Sequence, residues 1–157
     1  MLTFEHVIPC AEARQTAQES LRLPSALRER SRQRVVLASG QEAGIILPRG
    51  TVLRHGDLLL SNEGSVLRIE AADERLSVVR FATRQDMAVA CLHLGNRHAP
   101  VEIGPAQVQY TEDKVLDDML AGLGFSVEHR LGPFQPEPGA CPLPHIEVRS
   151  VKLVQRQ

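Results

Sequence analysis

Short runs of alternating apolar and polar residues fill the first half of the chain, and longer periods take over in the second. Leu2 to Pro9 predicts a first strand, closed by its proline. Ala11 to Leu23 has helix-forming composition but no clear apolar stripe, so it predicts a loop or a short helical turn, ended by Pro24. Arg28, Arg30, Arg32 and Arg34 then recur at the two-residue period of a strand that leads into Val35-Val36-Leu37. They read either as a basic patch for a partner or phosphate, or as the solvated face of that strand. The polar residues between them, Glu29, Ser31 and Gln33, favour the solvated face. Ser39-Gly40-Gln41-Glu42 marks a hairpin into a strand over Ala43 to Leu47. Turns at Pro48-Arg49-Gly50, His55-Gly56-Asp57 and Ser61-Asn62-Glu63-Gly64 separate further runs, the last being Val66 to Glu70. About six short strands with turns every ~8–12 residues predict a small β-sandwich or barrel.

The period changes after Ala71-Ala72-Asp73-Glu74. Leu76 to Phe81 predicts a strand, and Thr83 a cap for a helix starting near Arg84. Met87 to Leu92 and Leu94 make that helix strongly apolar and predict it buried. Gly95 fits the position just past its end, where Asn96 also tolerates a left-handed backbone. Val101 to Ile103 and Gln107 to Tyr110 predict two strands turning at Gly104-Pro105. Asp113 caps the clearest helix, whose stripe is Val115, Leu116, Met119, Leu120 and Leu123 and whose end is Gly124. Ser126 to Arg130, extended by Pro133-Phe134, predicts a last strand. From residue 76 the order is strand, helix, strand, strand, helix, strand, the ferredoxin-like βαββαβ arrangement. The fold class predicted is therefore α+β: an N-terminal β domain over residues 1–74, a ferredoxin-like domain over 75–135, and a proline-rich, extended or mobile tail over 136–157.

Composition narrows the function classes. Aromatics are only 3% of the 157 residues and the formal net charge is −1, which argues against a nucleic-acid binder built on stacking or a global positive field. Three widely spaced cysteines, Cys10, Cys91 and Cys141, are no disulfide framework and suit a reducing compartment. No run approaches the ~18 apolar residues of a membrane span. The start, Met-Leu-Thr-Phe-Glu-His, lacks a basic region followed by an apolar core. A soluble, cytoplasmic protein is expected.

No motif predicts an enzyme: there is no Gly-x-Ser-x-Gly elbow, phosphate-binding glycine loop or His-Glu-x-x-His helix. Adjacent Asp117 and Asp118 point about 100° apart on a helix and do not converge as an acid/base pair. Cys91, with His93 two residues on, offers a candidate nucleophile, but its apolar setting favours a packed thiol. His55, in its Arg-His-Gly-Asp turn, reads as a surface histidine. Metal is the stronger case. His93 and His98 would point about 140° apart on a continued helix and could not share one ion. Partners for His98 then lie on the tail, at Cys141 or His145, or on a second copy of the chain, where a two-fold axis turns one histidine into two ligands. A closed zinc site of Cys91, His93, Cys141 and His145 has the right ligand types but wide spacing.

Three stretches combine specifically: Leu94-Gly95-Asn96-Arg97-His98; Tyr110 with Asp113-Lys114-Val115-Leu116-Asp117-Asp118-Met119-Leu120; and Pro133-Phe134-Gln135-Pro136-Glu137-Pro138-Gly139-Ala140. Together they resemble the family of the urease accessory protein UreE, the nickel metallochaperones. Ala43-Gly44-Ile45-Ile46-Leu47-Pro48-Arg49-Gly50 and Leu53-Arg54-His55-Gly56-Asp57 resemble that family's N-terminal domain. The resemblance covers nearly the whole chain.

It implies an N-terminal β domain that binds protein partners and a second domain that forms the homodimer. It further implies one nickel ion shared by His98 of both subunits, with zinc or copper as alternative ions, and His145 as a tail ligand. Delivery would be to the urease apoprotein complex with the urease accessory GTPase. Where some members carry extra histidines before the second helix, this chain has Thr111, Glu112, Asp113 and Lys114. Its end, Val151 to Gln157, lacks the histidine-rich stretch of others, so peripheral metal capacity should be small. Ligand imidazoles bind as the neutral form, so affinity should fall below about pH 6.5. The alternative is a metal-independent dimeric adaptor in a protein-assembly complex.

Overall fold

The alternating first half folds into one curled six-stranded sheet in the computed structural model, which describes residues 2–138. Its strands are β1 (Leu2–Ile8), β2 (Glu19–Leu23), β3 (Arg32–Val36), β4 (Glu42–Ile46), β5 (Leu58–Ser61) and β6 (Val66–Ala71), in the order β2-β6-β5-β1-β4-β3. The inner face collects Phe4, Leu21, Leu23, Val35, Leu37, Ala43, Ile45, Leu59, Leu67 and Ile69 into an aliphatic core. This is a half-barrel, within the barrel-like class expected. Burial of that face drives the curl.

Two readings of this half need correcting. The loop expected before Pro24 contains β2, because Leu21 and Leu23 alternate with exposed Ser20 and Arg22 and enter the core. Arg28 is not on the alternating basic strand. It closes a one-turn helix, α1 (Ser25–Arg28), and is 2% exposed. Its guanidinium donates to the carbonyls of Leu23, Leu53 and Phe134 and to Gln135 Oε1. Burial lowers its pKa, opposed by Glu74, Glu102 and Glu29. A buried cation needs such a shell of acceptors to offset lost hydration. Gln135 Oε1 also accepts from the His55 amide, and the Gln135 amide donates to Glu102. Residues 134–135 are thereby clasped between the two halves of the molecule.

The second half begins after Ala71. Strand β7 (Asp73–Arg80) leads to α2 (Arg84–Asn96), β8 (Glu102–Ile103), β9 (Gln107–Thr111), α3 (Lys114–Gly122) and β10 (Val127–Pro133). The sheet order β10-β7-β9-β8 is antiparallel throughout, as the strand-helix-strand pattern predicts for a ferredoxin-like unit. Val79, Val108 and Tyr110 from the sheet pack with Ala90 and Leu94 of α2 and Leu120 of α3. The Thr83 hydroxyl caps α2 at the Asp86 amide, 3.1 Å away, and Asp113 caps α3 at the amides of Val115 and Leu116. The burial expected of α2 is corrected: only Ala90 and Leu94 are buried, while Val89 and Leu92 are 37% and 61% exposed. A helix lying on a sheet buries one stripe, and none of the described residues covers the other.

Candidate functional site

The end of α2 sets the geometry of His98. The His98 amide donates to the Gly95 carbonyl (2.9 Å), and the Ala99 amide reaches back to the Leu94 carbonyl (3.1 Å). Those two bonds form the Schellman termination, which requires a left-handed backbone at the first residue past the cap. That residue is His98, with φ 55°, the one non-glycine residue at positive φ among those described. Gly95 lies inside the helix and Asn96 is its last residue, so the turn expected at Gly95-Asn96 falls later, on the histidine itself.

Helix α3 ends by the same two bonds. The Gly124 amide donates to Ala121 and the Phe125 amide to Leu120, and Gly124 has φ 92°. Glycine adopts that conformation without steric cost, whereas a side chain there costs about 1–2 kcal/mol. His98 therefore sits in a position whose folding preference is glycine. The imidazole carried at that position is exposed.

The other candidates separate from it. His93 is half-buried on α2. Cys91 packs against the helical core, and burial pushes its thiol pKa up, away from the reactive thiolate. His55 is exposed, and its Nδ1 accepts from the Ala71 amide at 3.1 Å, which makes it a turn anchor. Asp117 and Asp118 diverge as expected, Asp118 to Lys114 and Asp117 into the interior. No three histidine, cysteine or carboxylate side chains converge among the described residues. His145 and Cys141, expected as tail ligands, lie outside the described residues.

One cluster escaped sequence reasoning. Asp117 accepts from the Tyr110 hydroxyl and pairs with His129 Nε2, each at 2.8 Å. Burial works to raise the Asp117 carboxyl. The Ser77 hydroxyl, His129 and Tyr110 outweigh it and hold the group below the ordinary carboxylate range. Of these, Ser77 Oγ is buried beside the group without a well-formed hydrogen bond among the described residues. Burial, with Asp117 accepting the hydroxyl proton, raises Tyr110 strongly. The cluster ties α3 to β9 and β10. Only the tyrosine-to-aspartate spacing of seven residues hinted at it; His129 reaches Asp117 through tertiary folding alone. Above it, a cavity of about 450 Å³ is lined by Arg97, Ala99 and Pro100 on one side and by Thr111, Glu112 and Asp113 on the other. Glu112 in this wall pairs with Arg75 at 3.0 Å, and Asp113 is committed to its helix cap.

Comparison with known proteins agrees with this domain order. The model of the UreE urease accessory protein N-terminal domain matches residues 4–72, and that of the C-terminal domain matches residues 74–149. The chain is 46% identical over 140 residues to the urease accessory protein UreE of Alkalilimnicola ehrlichii, covering 89% of this chain and 84% of that one. It is 53% identical over 113 residues to the Proteus mirabilis protein of the same name, covering 72% and 70%. The Escherichia coli O157:H7 protein of that name is 48% identical over 122 residues, covering 77% and 79%.

Proposed function

The chain belongs to the UreE family of urease accessory proteins, which gives it a role in urease maturation, and we propose that it acts there as a nickel metallochaperone. The ion is held between two copies of the chain by the two His98 imidazoles, and His145 of the tail completes the site. The observation that carries this reading is His98 itself, an exposed imidazole held at a backbone position that favours glycine. Exposed Val89 and Leu92, one turn apart on the same helix, support a second copy packing on α2. A carrier needs an open, exchangeable site, and imidazole suits nickel, with zinc and copper as competitors. The protein does no chemistry on the ion.

The N-terminal sheet is the partner-binding half in this reading, and the urease accessory GTPase and urease apoprotein complex are its partners in the cytoplasm. Among the described residues, no helix is long and apolar enough to cross a membrane.

Dialysis of the purified protein against nickel, followed by metal analysis and light scattering, tests the proposal. One ion per two chains is expected. A dimer without metal would instead favour the adaptor reading, and a monomer would remove the shared site altogether.

A further inference from the structure

Among the described residues, the curled N-terminal sheet does not close. Its edges are β2 and β3, and a groove of about 480 Å³ is lined by residues of both, with Leu21, Leu23 and Leu27 on one side and Arg32, Arg34 and Val36 on the other. Among the described residues, strand β3 pairs only with β4. In that antiparallel ladder the Leu37 amide donates to Gln41 and the Leu47 amide to Ser31, which fixes the alternation. Ser31, Gln33, Val35 and Leu37 turn their backbone groups to β4. Arg32, Arg34 and Val36 turn theirs to the open edge. The same three side chains are exposed on the outer face, whereas Val35 and Leu37 point into the core. No carboxylate forms an ion pair with Arg30, Arg32 or Arg34 among the described residues, whereas Arg22 on the opposite edge is paired with Glu70.

We propose that this open seam binds an extended segment of a partner protein as an added strand, with acidic residues alternating with apolar ones. Backbone pairing to Arg32, Arg34 and Val36 sets the register. Residues opposite Arg32 and Arg34 lie on the outer face and must be acidic to complement the guanidinium groups. The residues between them turn inward over Leu21, Leu23 and Leu27 and must be apolar. Charged side chains on an edge can also serve merely to block pairing between copies of a chain. A guard of that kind needs no apolar lining, and here Leu21, Leu23 and Leu27 line the groove between the two edges. The proposal rests on the N-terminal sheet being the partner-binding half.

The test is fluorescence anisotropy with the full chain in about 50 mM salt, near which surface charges act over roughly a nanometre. The probe is a labelled, C-amidated eight-residue peptide of four Glu-Val repeats. Binding is expected, weakened at least tenfold in R32E/R34E. Both positions are exposed, so circular dichroism should show an unchanged fold. A Lys-Val peptide, and the Glu-Val peptide N-methylated at alternate residues to remove its edge donors, should each bind at least tenfold more weakly. Equal binding by either control peptide, or by R32E/R34E, overturns the strand site. So does a wild-type chain that ignores the peptide while R32E/R34E self-associates, which is the behaviour of an edge guard. Capture of the urease accessory GTPase is measured on the same samples. Capture without peptide binding overturns the strand site and leaves the partner-binding reading standing. Peptide binding with the expected dependence but no GTPase capture upholds the site and removes that GTPase as its partner.

Discussion

The two long helices of the C-terminal unit end by the same pair of backbone bonds, yet one carries Gly124 at the left-handed position and the other carries His98. The glycine end is what folding alone selects. Nothing lies within 4 Å of a Cβ placed on Gly124, so only its φ of 92° demands glycine. The histidine end meets the same demand with the wrong residue for it. That difference separates a residue the fold needs from one the fold tolerates.

What the two ends share should matter most to stability. Leu94 and Leu120 supply the carbonyls that close the two motifs, and both are fully buried in one core. Leu94→Ala and Leu120→Ala should each cost about 2–5 kcal/mol in urea unfolding. A marginal loss at either would mean that the two ends are not packed alike. Gly124→Ala should cost about 1–2 kcal/mol, all of it backbone. His98→Gly runs the other way: relief of the strained backbone should hold or raise stability by up to about 1 kcal/mol. A clear loss of stability there would show that the imidazole is structural. Smaller still is the effect of acid. Asp117 has a lowered folded pKa, so its contribution is present above the unfolded value of 3.8 and is lost as pH falls through the folded one. Asp117→Asn should flatten the pH dependence of stability below about pH 4, read from urea midpoints across the acid range.

Much of this was legible in the chain. Alternation gave the short N-terminal strands, and the 3.6 period with Asp113 and Gly124 at its ends gave α3. The strand-helix order gave the ferredoxin-like unit. The misreadings share a cause, which is that local signals are generic. Gly95 carries the composition of a helix terminator but sits within α2, because the core contact of Leu94 and Ala99 places the turn at His98. Arg28 fits the strand period of its neighbours, yet its environment is assembled from Leu53 and Phe134, far along the chain. The Asp117–His129 pair likewise exists only once β10 lies beside β7. His98 was legible as a candidate ligand by residue type and motif; its left-handed backbone was not, since that follows from where α2 ends in the fold.

If His98 holds its costly conformation in order to bind metal, replacing it should remove the binding and spare the fold. Isothermal titration of nickel into the wild-type chain and His98→Gly, at matched pH and salt, tests this most directly. One ion per two wild-type chains is expected, with binding weaker by about 100-fold or more in a variant that unfolds no earlier than wild type. Wild-type affinity and stoichiometry in His98→Gly would contradict it.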